Sequence, residues 1–327
     1  MGRNDLWGRD PFEKGSPPPR PHPLKLLLWV STVPIGATMP HESHPAVQKF
    51  AAPQALPFVE VRTTLDSVQP YAEHFHSSWS LGAILEGRTR FRLHGHIHGH
   101  ICGQIHGQTH EAQKGDLVFI GPGVAHSCNP VDGQPRSYHM AHVDCRWFAQ
   151  RVCPVLGLPE NCEAALPLIR DSVLYASALE VIQAMLAGQA GSEQGLLDLL
   201  VRLQHAYGCF RPADDDCASM ARFLPAGEEG SLCTERHAVS QLAEKSGLRR
   251  ESYSRAFRRG TGLPPASYLH CLRLEKARRL LRQGKSIAEA AAAAGYADQS
   301  HLHRMFVKFY SVTPGCYRKG ASHSYKK

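Results

Sequence analysis

The stretch GYADQSHLHRMFVKFYSVTPGCYR, residues 295–318, decides the fold of the last third of the chain, because an earlier stretch repeats its pattern. Residues 247–265 read GLRRESYSRAFRRGTGLPP. Both stretches contain, in the same order, a glycine, an arginine, a phenylalanine two positions after the arginine, and a closing proline. The glycines (Gly247 and Gly295) are 48 residues apart, whereas the arginines (Arg255 and Arg304) and the later pairs are 49 apart. Such a repeat predicts two copies of one supersecondary unit.

Each copy has the pattern of a helix-turn-helix. In the first copy Leu242 and Ala243 lie on the apolar face of a short helix, and Gly247 stands at the turn, where a residue that tolerates positive φ is favoured. Tyr253 and Phe257, four residues apart, predict one buried face on the second helix. The corresponding core of the second copy is Ile287, Ala290, Ala291, Tyr296, Leu302 and Phe306.

A long amphipathic helix is predicted between the copies, over residues 267–282 (SYLHCLRLEKARRLLR). Gly262 ends the helix before it and Gly284 ends this one, as C-cap glycines do. The helix would hold the two units rigidly apart. Its outer face is predicted to carry Arg273, Lys276, Arg278, Arg279 and Arg282.

The open faces of the two second helices suit nucleic acid. An α-helix fits the major groove of DNA, where arginine pairs with guanine and glutamine with adenine. Two such helices ~34 Å apart would read successive grooves of one duplex. The residues on these open faces are Glu251, Ser254, Arg255 and Arg258 in the first copy and Gln299, Ser300, His301, His303 and Arg304 in the second.

The charge distribution supports a nucleic-acid partner for this region alone. The chain has 327 residues and a net charge of +8. Residues 232–327 hold 19 basic and 6 acidic residues, whereas the rest of the chain holds 18 and 23. A basic domain joined to a mildly acidic one indicates a polyanion-binding module attached to a second function.

Residues 56–145 predict a β domain. Residues 58–62 and 89–93 alternate apolar and polar positions, and Leu117–Ile120 is a short apolar run bounded by glycine and proline turns. Short strands separated by such turns are typical of a sandwich or barrel. Residues 166–210 predict two amphipathic helices with a glycine-rich break, which either cover the barrel or pair two copies of the chain.

Three histidines are the candidate effector site. His74 and His76 would point to one face if they lie on a strand, and His126 follows a Gly-Pro-Gly turn fifty residues later. Together they could form a three-ligand metal site or line a metal-free pocket for a small organic molecule. A separate His-Gly tract contains His94, His96, His98 and His100. We interpret it as a lengthened hairpin, with metal binding as the alternative.

The remaining segments set the boundaries. Residues 1–38 are proline-rich and of a composition that does not fold, and we hypothesise that translation begins at Met39. The ten scattered cysteines are typical of reduced thiols in the cytoplasm. The sequence holds no run of ~18–20 apolar residues of the kind that spans a membrane.

The C-terminal repeat and the helix between its copies strongly resemble the AraC/XylS family of bacterial transcription regulators. The motifs that carry the resemblance are the repeat above, Leu272–Leu281, and the closing Thr-Pro-x-x-Tyr-Arg318. The resemblance implies sequence-specific promoter binding, usually as an activator that contacts RNA polymerase and is controlled by a small-molecule effector. It also implies that the open-face residues make the DNA contacts, namely Glu251, Ser254, Arg255, Arg258, Gln299, Ser300, His301, His303 and Arg304. Ala290 and Ser311 depart from the family pattern, and from them we predict a less stable second unit.

The β domain resembles a cupin. Cupins carry a His-x-His motif, a glutamate a few residues later and a second motif ending in histidine. Ser80 and Leu81 stand at the glutamate position here, and the second motif is one residue short. The alternatives are therefore a regulator controlled by an organic effector, a metal-responsive regulator, and, least favoured, a cupin metalloenzyme.

The sequence as a whole predicts an α+β protein that regulates transcription in the cytoplasm and is not an enzyme. Its expected partners are double-stranded promoter DNA, the effector, RNA polymerase and a second copy of the chain, with no membrane. The expected parts are a disordered extension (1–38), a cupin-like effector-sensing domain (39–150), a helical connector (151–210), a linker (211–231) and a DNA-binding domain with two helix-turn-helix units joined by a long helix (232–327).

Overall fold

The computed structural model describes residues 47–94, 108–213 and 238–322. These belong to one compact unit that spans residues 44–327. The expectations for residues 1–38, for His96, His98 and His100, and for most of the linker lie outside the described residues.

Two antiparallel sheets form the β domain. Its strands are β1 (Val47–Ala51), β2 (Val59–Ser67), β3 (Trp79–Glu86), β4 (Arg88–His94), β5 (Gln108–Gln113), β6 (Leu117–Ile120), β7 (Ala125–Pro130), β8 (Arg136–Val143), β9 (Cys162–Ala164), β10 (Leu168–Ile169) and β11 (Phe210–Pro212). One of these sheets has the order β1-β2-β8-β3-β6-β10 and the other β5-β4-β7, and the short strands β9 and β11 pair apart from both. Buried Ile84, Phe91 and Val118 come from both sheets and belong to one apolar cluster, so the sheets pack face to face.

The alternating sequence of β4 shows why this layer forms. Thr89, Phe91 and Leu93 are buried, whereas the arginines between them are exposed. A period of two places alternate side chains on opposite faces of a strand. The apolar face of β4 therefore closes the space over the larger sheet.

The connector helices lie on the other face of the larger sheet. They are α1 (Cys145–Trp147) and α2 (Cys153–Leu156), joined by a π-helical turn, then α3 (Ser172–Leu186) and α4 (Ser192–Tyr207). Ile182 and Leu200 pack in one core with Trp79 and Phe119 of the sheet. The connector therefore covers the barrel, the first of its two predicted roles. β11 then pairs with β9 and returns the chain to this layer.

The C-terminal domain is all helical. Its helices are α5 (Ala238–Lys245), α6 (Arg250–Thr261), α7 (Pro265–Arg282), α8 (Ile287–Ala293), α9 (Gln299–Tyr310) and α10 (Pro314–Ser322). Helices α5–α6 and α8–α9 are the two helix-turn-helix units, and α7 joins them. The predicted α+β class, with a cupin-like β domain, a helical connector and two such units on a long helix, is confirmed.

The caps of these helices follow from single residues. The Asp298 carboxylate accepts a hydrogen bond from the His301 backbone N–H at 2.7 Å and so starts α9. Gly262 ends α6 at φ 78°, and Ser311 ends α9 at φ 56°. Because a left-handed residue with a Cβ is strained, the second unit has the weaker C-cap.

One prediction about the long helix is wrong. The sequence pattern predicts Arg278 on the solvent-facing side of α7, but this residue is only 7% exposed. The β domain packs against this side of α7, and the guanidinium pairs there with Glu60 of β2. The face is basic in sequence, but an acidic partner from another domain neutralises this arginine.

Candidate effector site and DNA-binding surface

The three predicted histidines come together in the β domain. His74 and His126 form an isolated antiparallel bridge, in which each backbone N–H donates to the carbonyl of the other at 2.9 and 2.7 Å. All three residues are buried, and one ring nitrogen of each lies within 4.8 Å of the others. The expectation of a strand under His74 and His76 is wrong, because this segment is irregular apart from that bridge.

Backbone carbonyls fix the proton positions on two of these rings. His74 Nδ1 lies 2.7 Å from the Ala72 carbonyl and His126 Nδ1 lies 2.8 Å from that of Val124. A carbonyl only accepts, so each Nδ1 carries the proton. Burial lowers the pKa of His126 to about 4 and holds that of His74 well below its ordinary value. Both rings are therefore neutral near pH 7, and both Nε2 atoms present lone pairs.

His76 completes the cluster from the opposite side. Its Nε2 lies 3.2 Å from His74 Nε2. Because His74 Nε2 can only accept, His76 Nε2 donates the proton in this contact. Burial also lowers the pKa of His76 well below its ordinary value. The His76 Nδ1 atom is buried and has no hydrogen-bond partner among the described residues.

A fourth histidine, His142 of β8, was missed by sequence reasoning. Its ring centroid lies 4.6 Å from that of His76, and its Nδ1 lies 3.0 Å from the hydroxyl of Ser80. Burial lowers its pKa well below the ordinary value. The signal was the period-two alternation of β8, which puts His142 and Met140 on the face that carries Tyr138. Ser80 occupies the place where the cupin pattern has glutamate.

A cavity of about 40 Å³ lies between the cluster and a buried arginine. By volume it admits roughly three water-sized groups. Its wall includes Arg62, which is 6% exposed and contacts Gln48, the Tyr71 hydroxyl and the Tyr310 carbonyl. Within the described part of the chain no carboxylate pairs with this guanidinium. The cavity thus combines neutral imidazoles with one positive end.

A buried ion-pair network joins the two domains beside this cavity. Arg278 of α7 donates to Glu60 and, at 2.7 Å, to Glu275. The Tyr317 hydroxyl also donates to Glu60, which is 1% exposed. Burial would raise the pKa of Glu275, but the Arg278 charge and the bonds from neighbouring groups hold it well below its ordinary range. Glu275 is therefore ionised at physiological pH.

Glu275 also touches the cavity wall. One of its oxygens accepts from the Ser77 hydroxyl at 2.8 Å and the other from the Tyr310 hydroxyl at 3.0 Å. The His76 Nδ1 atom lies 3.7 Å from the Glu275 carboxylate. A charged residue of the DNA-binding domain thus lies next to a ring of the effector site. Sequence reasoning missed it because the two residues are 199 positions apart.

His94 is the described member of the His-Gly tract. It is 9% exposed, and its Nε2 lies 2.9 Å from the Glu73 carboxylate. It lies at the end of β4, directly opposite Ala125. It is thus neither solvated nor part of the three-histidine group.

The structure leaves the predicted DNA-contacting faces open. On α6 and α9 the side chains of Tyr253, Phe257, Leu302 and Phe306 are buried. The opposite faces are exposed or half-buried and carry Glu251, Ser254, Arg255, Arg258, Gln299, Ser300, His301, His303 and Arg304. The hydrophobic faces fix the rotation of both helices and so decide which side chains reach a ligand.

Comparison with known proteins finds a match for each of the two domains. Residues 65–203 match the AraC-like ligand binding domain, and residues 242–320 match a helix-turn-helix domain, which account for 139 and 79 of the 327 residues. The uncharacterized HTH-type transcriptional regulator YbfI of Bacillus subtilis is 24% identical over 72% of this chain and 82% of its own length. The HTH-type transcriptional activator RhaS of Escherichia coli is 35% identical over 24% of this chain and 29% of its own.

A solved structure shows the same arrangement of domains. ToxT from Vibrio cholerae O395 is similar over 81% of this chain and 97% of its own, with a TM-score of 0.52 and 13% identity. A ligand-binding β domain followed by paired helix-turn-helix units defines a DNA-binding transcription regulator. The chain belongs to the AraC/XylS family of transcriptional regulators.

No described helix has the length and apolar character that a membrane crossing requires.

Proposed function

We propose that this protein is a promoter-binding activator whose affinity for DNA is set by an effector held between the histidine cluster and Arg62. The observation that carries the proposal is that two side chains in the wall of the effector cavity also contact the DNA-binding domain. Arg62 and His76 line the cavity, and both contact the DNA-binding domain, at Tyr310 and Glu275. An effector that moves either side chain changes how the β domain packs on α7 and α9.

DNA is read by the exposed faces of α6 and α9. Arg255 and Arg304 occupy the same position in the two repeats, and each can pair with a base edge in its groove. Arg258 and Lys308 lie one turn further along and suit phosphate contacts. Binding then depends steeply on salt, because each neutralised phosphate releases counterions.

Activation in the cytoplasm requires two further partners in this proposal. RNA polymerase is contacted from the promoter-bound state, and a second copy of the chain binds the adjacent site. The RhaS relatives are named as activators, which supports activation of transcription rather than repression. The exposed Val173 of α3, at 64%, lies on the connector surface open to a second copy.

The test is selection of preferred sites from random duplexes by the full chain, followed by fluorescence anisotropy. We expect Arg304→Ala to cost about 1–3 kcal/mol and to relax the preference at one base pair. Arg146→Ala, at an exposed arginine of the connector helix α1, is the matched control and should bind as wild type. An unchanged selected sequence for Arg304→Ala contradicts the assignment.

A metal-responsive regulator is the second candidate function. It is favoured by the convergence of three buried histidine nitrogens within 4.8 Å, since neutral imidazole is a common ligand of divalent transition metals. His74, His76 and His126 would hold the ion. Anisotropy titrations with Zn²⁺ and with a chelator separate this function from control by an organic effector, because only a metal-responsive protein changes its DNA affinity between the two.

A further inference from the structure

His76 differs from the other two histidines of the cluster in how its ring is held. His74 and His126 each donate Nδ1–H to a backbone carbonyl of their own segment. His76 Nδ1 faces the Glu275 carboxylate at 3.7 Å, beyond hydrogen-bond reach. The proton of His76 instead lies on Nε2, where it is donated to His74. The free nitrogen of His76 is thus the one that faces the DNA-binding domain.

We propose that a divalent transition ion bound at this cluster moves the proton of His76 from Nε2 to Nδ1, so that His76 then donates to Glu275 and the ion tightens the docking of the β domain on α7. The inference deepens the second candidate function and depends on it. The ion takes one lone pair from each Nε2 atom. His76 gives up one proton to solvent at Nε2 and takes one proton from solvent at Nδ1, so its net charge stays zero and no proton is released overall.

The surroundings of the cluster fit this exchange. The tautomers of His74 and His126 are already fixed with Nε2 unprotonated. A carbonyl or carboxylate on the far nitrogen is how metal-bound histidines are oriented. The cavity volume of about 40 Å³ leaves room for an ion and a water, as in an open three-nitrogen site. Arg62 opposes a cation, whereas the Glu275 carboxylate, 3.7 Å from His76 Nδ1, favours one.

Glu275 is well placed to transmit the change. It is part of α7, which joins the two helix-turn-helix units, and its other partners are Arg278, Ser77 and Tyr310. Tyr310 is the last residue of α9. A stronger His76–Glu275 contact therefore acts on both the spacer helix and the end of the second recognition helix. The DNA-binding domain would supply the outer partner of a site whose ligands all belong to the β domain.

The experiment uses the metal-free full chain titrated with Co²⁺ and then Zn²⁺. We expect visible d–d absorption of a low-coordinate Co²⁺ complex, its displacement by Zn²⁺, and its loss in His74→Ala but not in His205→Ala, an exposed histidine of α4. Histidine ¹⁵N spectra of the Zn²⁺-loaded chain should show the His76 proton on Nδ1. A loaded protein that keeps this proton on Nε2 overturns the proposal.

The coupling is tested with Glu275→Gln. Loss of the outer partner should weaken Zn²⁺ binding by about 10–100-fold, and Zn²⁺ should then no longer alter DNA affinity. Tyr310→Phe removes a different hydrogen bond to the same carboxylate and should retain most of the Zn²⁺ affinity, which keeps the test valid if Glu275→Gln loosens the fold. Glu180→Gln, an exposed carboxylate of α3, should change neither property.

The outcomes separate this inference from the proposed function. No Co²⁺ binding by the wild type overturns the metal site, while site-specific DNA binding by the same sample leaves the regulator intact. If Glu275→Gln leaves metal binding unchanged, the proposed coupling through the His76–Glu275 contact is overturned, but the metal site is not. Loss of sequence-specific DNA binding in the wild type is the only outcome that removes the regulator itself.

Discussion

Replacing Arg278 with methionine removes the positive charge from the interface between the two domains. Met retains an unbranched apolar stem, so the change acts mainly on the guanidinium. Arg278 is 7% and Glu60 1% exposed. Of its described partners, Glu60 would keep only the Tyr317 hydroxyl and Arg282, whose Nε lies 4.0 Å away. Removing one partner of a buried pair costs about 3–5 kcal/mol, because the other charge is left buried.

That free energy corresponds to a roughly hundred- to several-thousand-fold shift of the docking equilibrium. Hydrogen exchange of α7 amides and urea unfolding of the full chain measure it, and DNA affinity should become insensitive to effector. Arg279→Met, at the exposed neighbouring position, should change stability by less than about 0.5 kcal/mol. The double variant Glu60→Gln/Arg278→Met should recover part of the loss.

The reasoning is refuted if Arg278→Met protects α7 amides as wild type does and unfolds at the same urea concentration. The pair would then contribute nothing to docking, and the packing of Phe75 on Tyr268, with ring centroids 4.5 Å apart, would have to hold the domains together.

Three more outcomes are expected. Burial gives His126 a pKa of about 4 in the folded chain, against an ordinary value of 6.5. As pH falls below 6.5, the unfolded chain therefore binds a proton at this residue that the native chain does not. Lowering the pH from 7.5 to 5 should cost about 2 kcal/mol of stability through His126 alone, as measured by urea titrations. Ser311→Gly should relieve the left-handed C-cap of α9 and stabilise the chain by about 0.5–1 kcal/mol in thermal unfolding, whereas Gly262→Ser should destabilise it, since its Cβ would meet His94. Phe306→Ala should cost about 3–5 kcal/mol in the same assay because the ring is fully buried.

The helix-turn-helix units could be predicted from sequence because their information is local. A turn glycine, two buried side chains four residues apart and a C-cap residue recur at nearly constant offset, and each acts within its own helix pair. The faces of α6 and α9 follow from Phe257 and Phe306 alone. The weaker second unit stays a prediction, and its physical basis is the left-handed backbone of Ser311.

The site at the domain interface could not be predicted because its partners are distant in sequence. Nothing near Arg278 indicates Glu60, which is 218 positions away, so the arginine was assigned to solvent. The strand predicted under His74 and His76 was wrong, although both rings do face the cavity. Phe75 between them is 4% exposed and packs on Tyr268 of α7, so it is the other domain that fixes the direction of these rings.

The hydrogen bond from Arg62 to the backbone carbonyl of Tyr310, at 3.3 Å, connects the cavity wall to the C-terminal end of helix α9. Helix α9 has 12 residues and is therefore about 18 Å long. A tilt of about 5° at Tyr310 would swing Gln299, at the far tip, by about 1.6 Å, enough to break a hydrogen bond to a base edge. A displacement of Arg62 too small to open the fold would thus be amplified at the end of the helix where sequence is read.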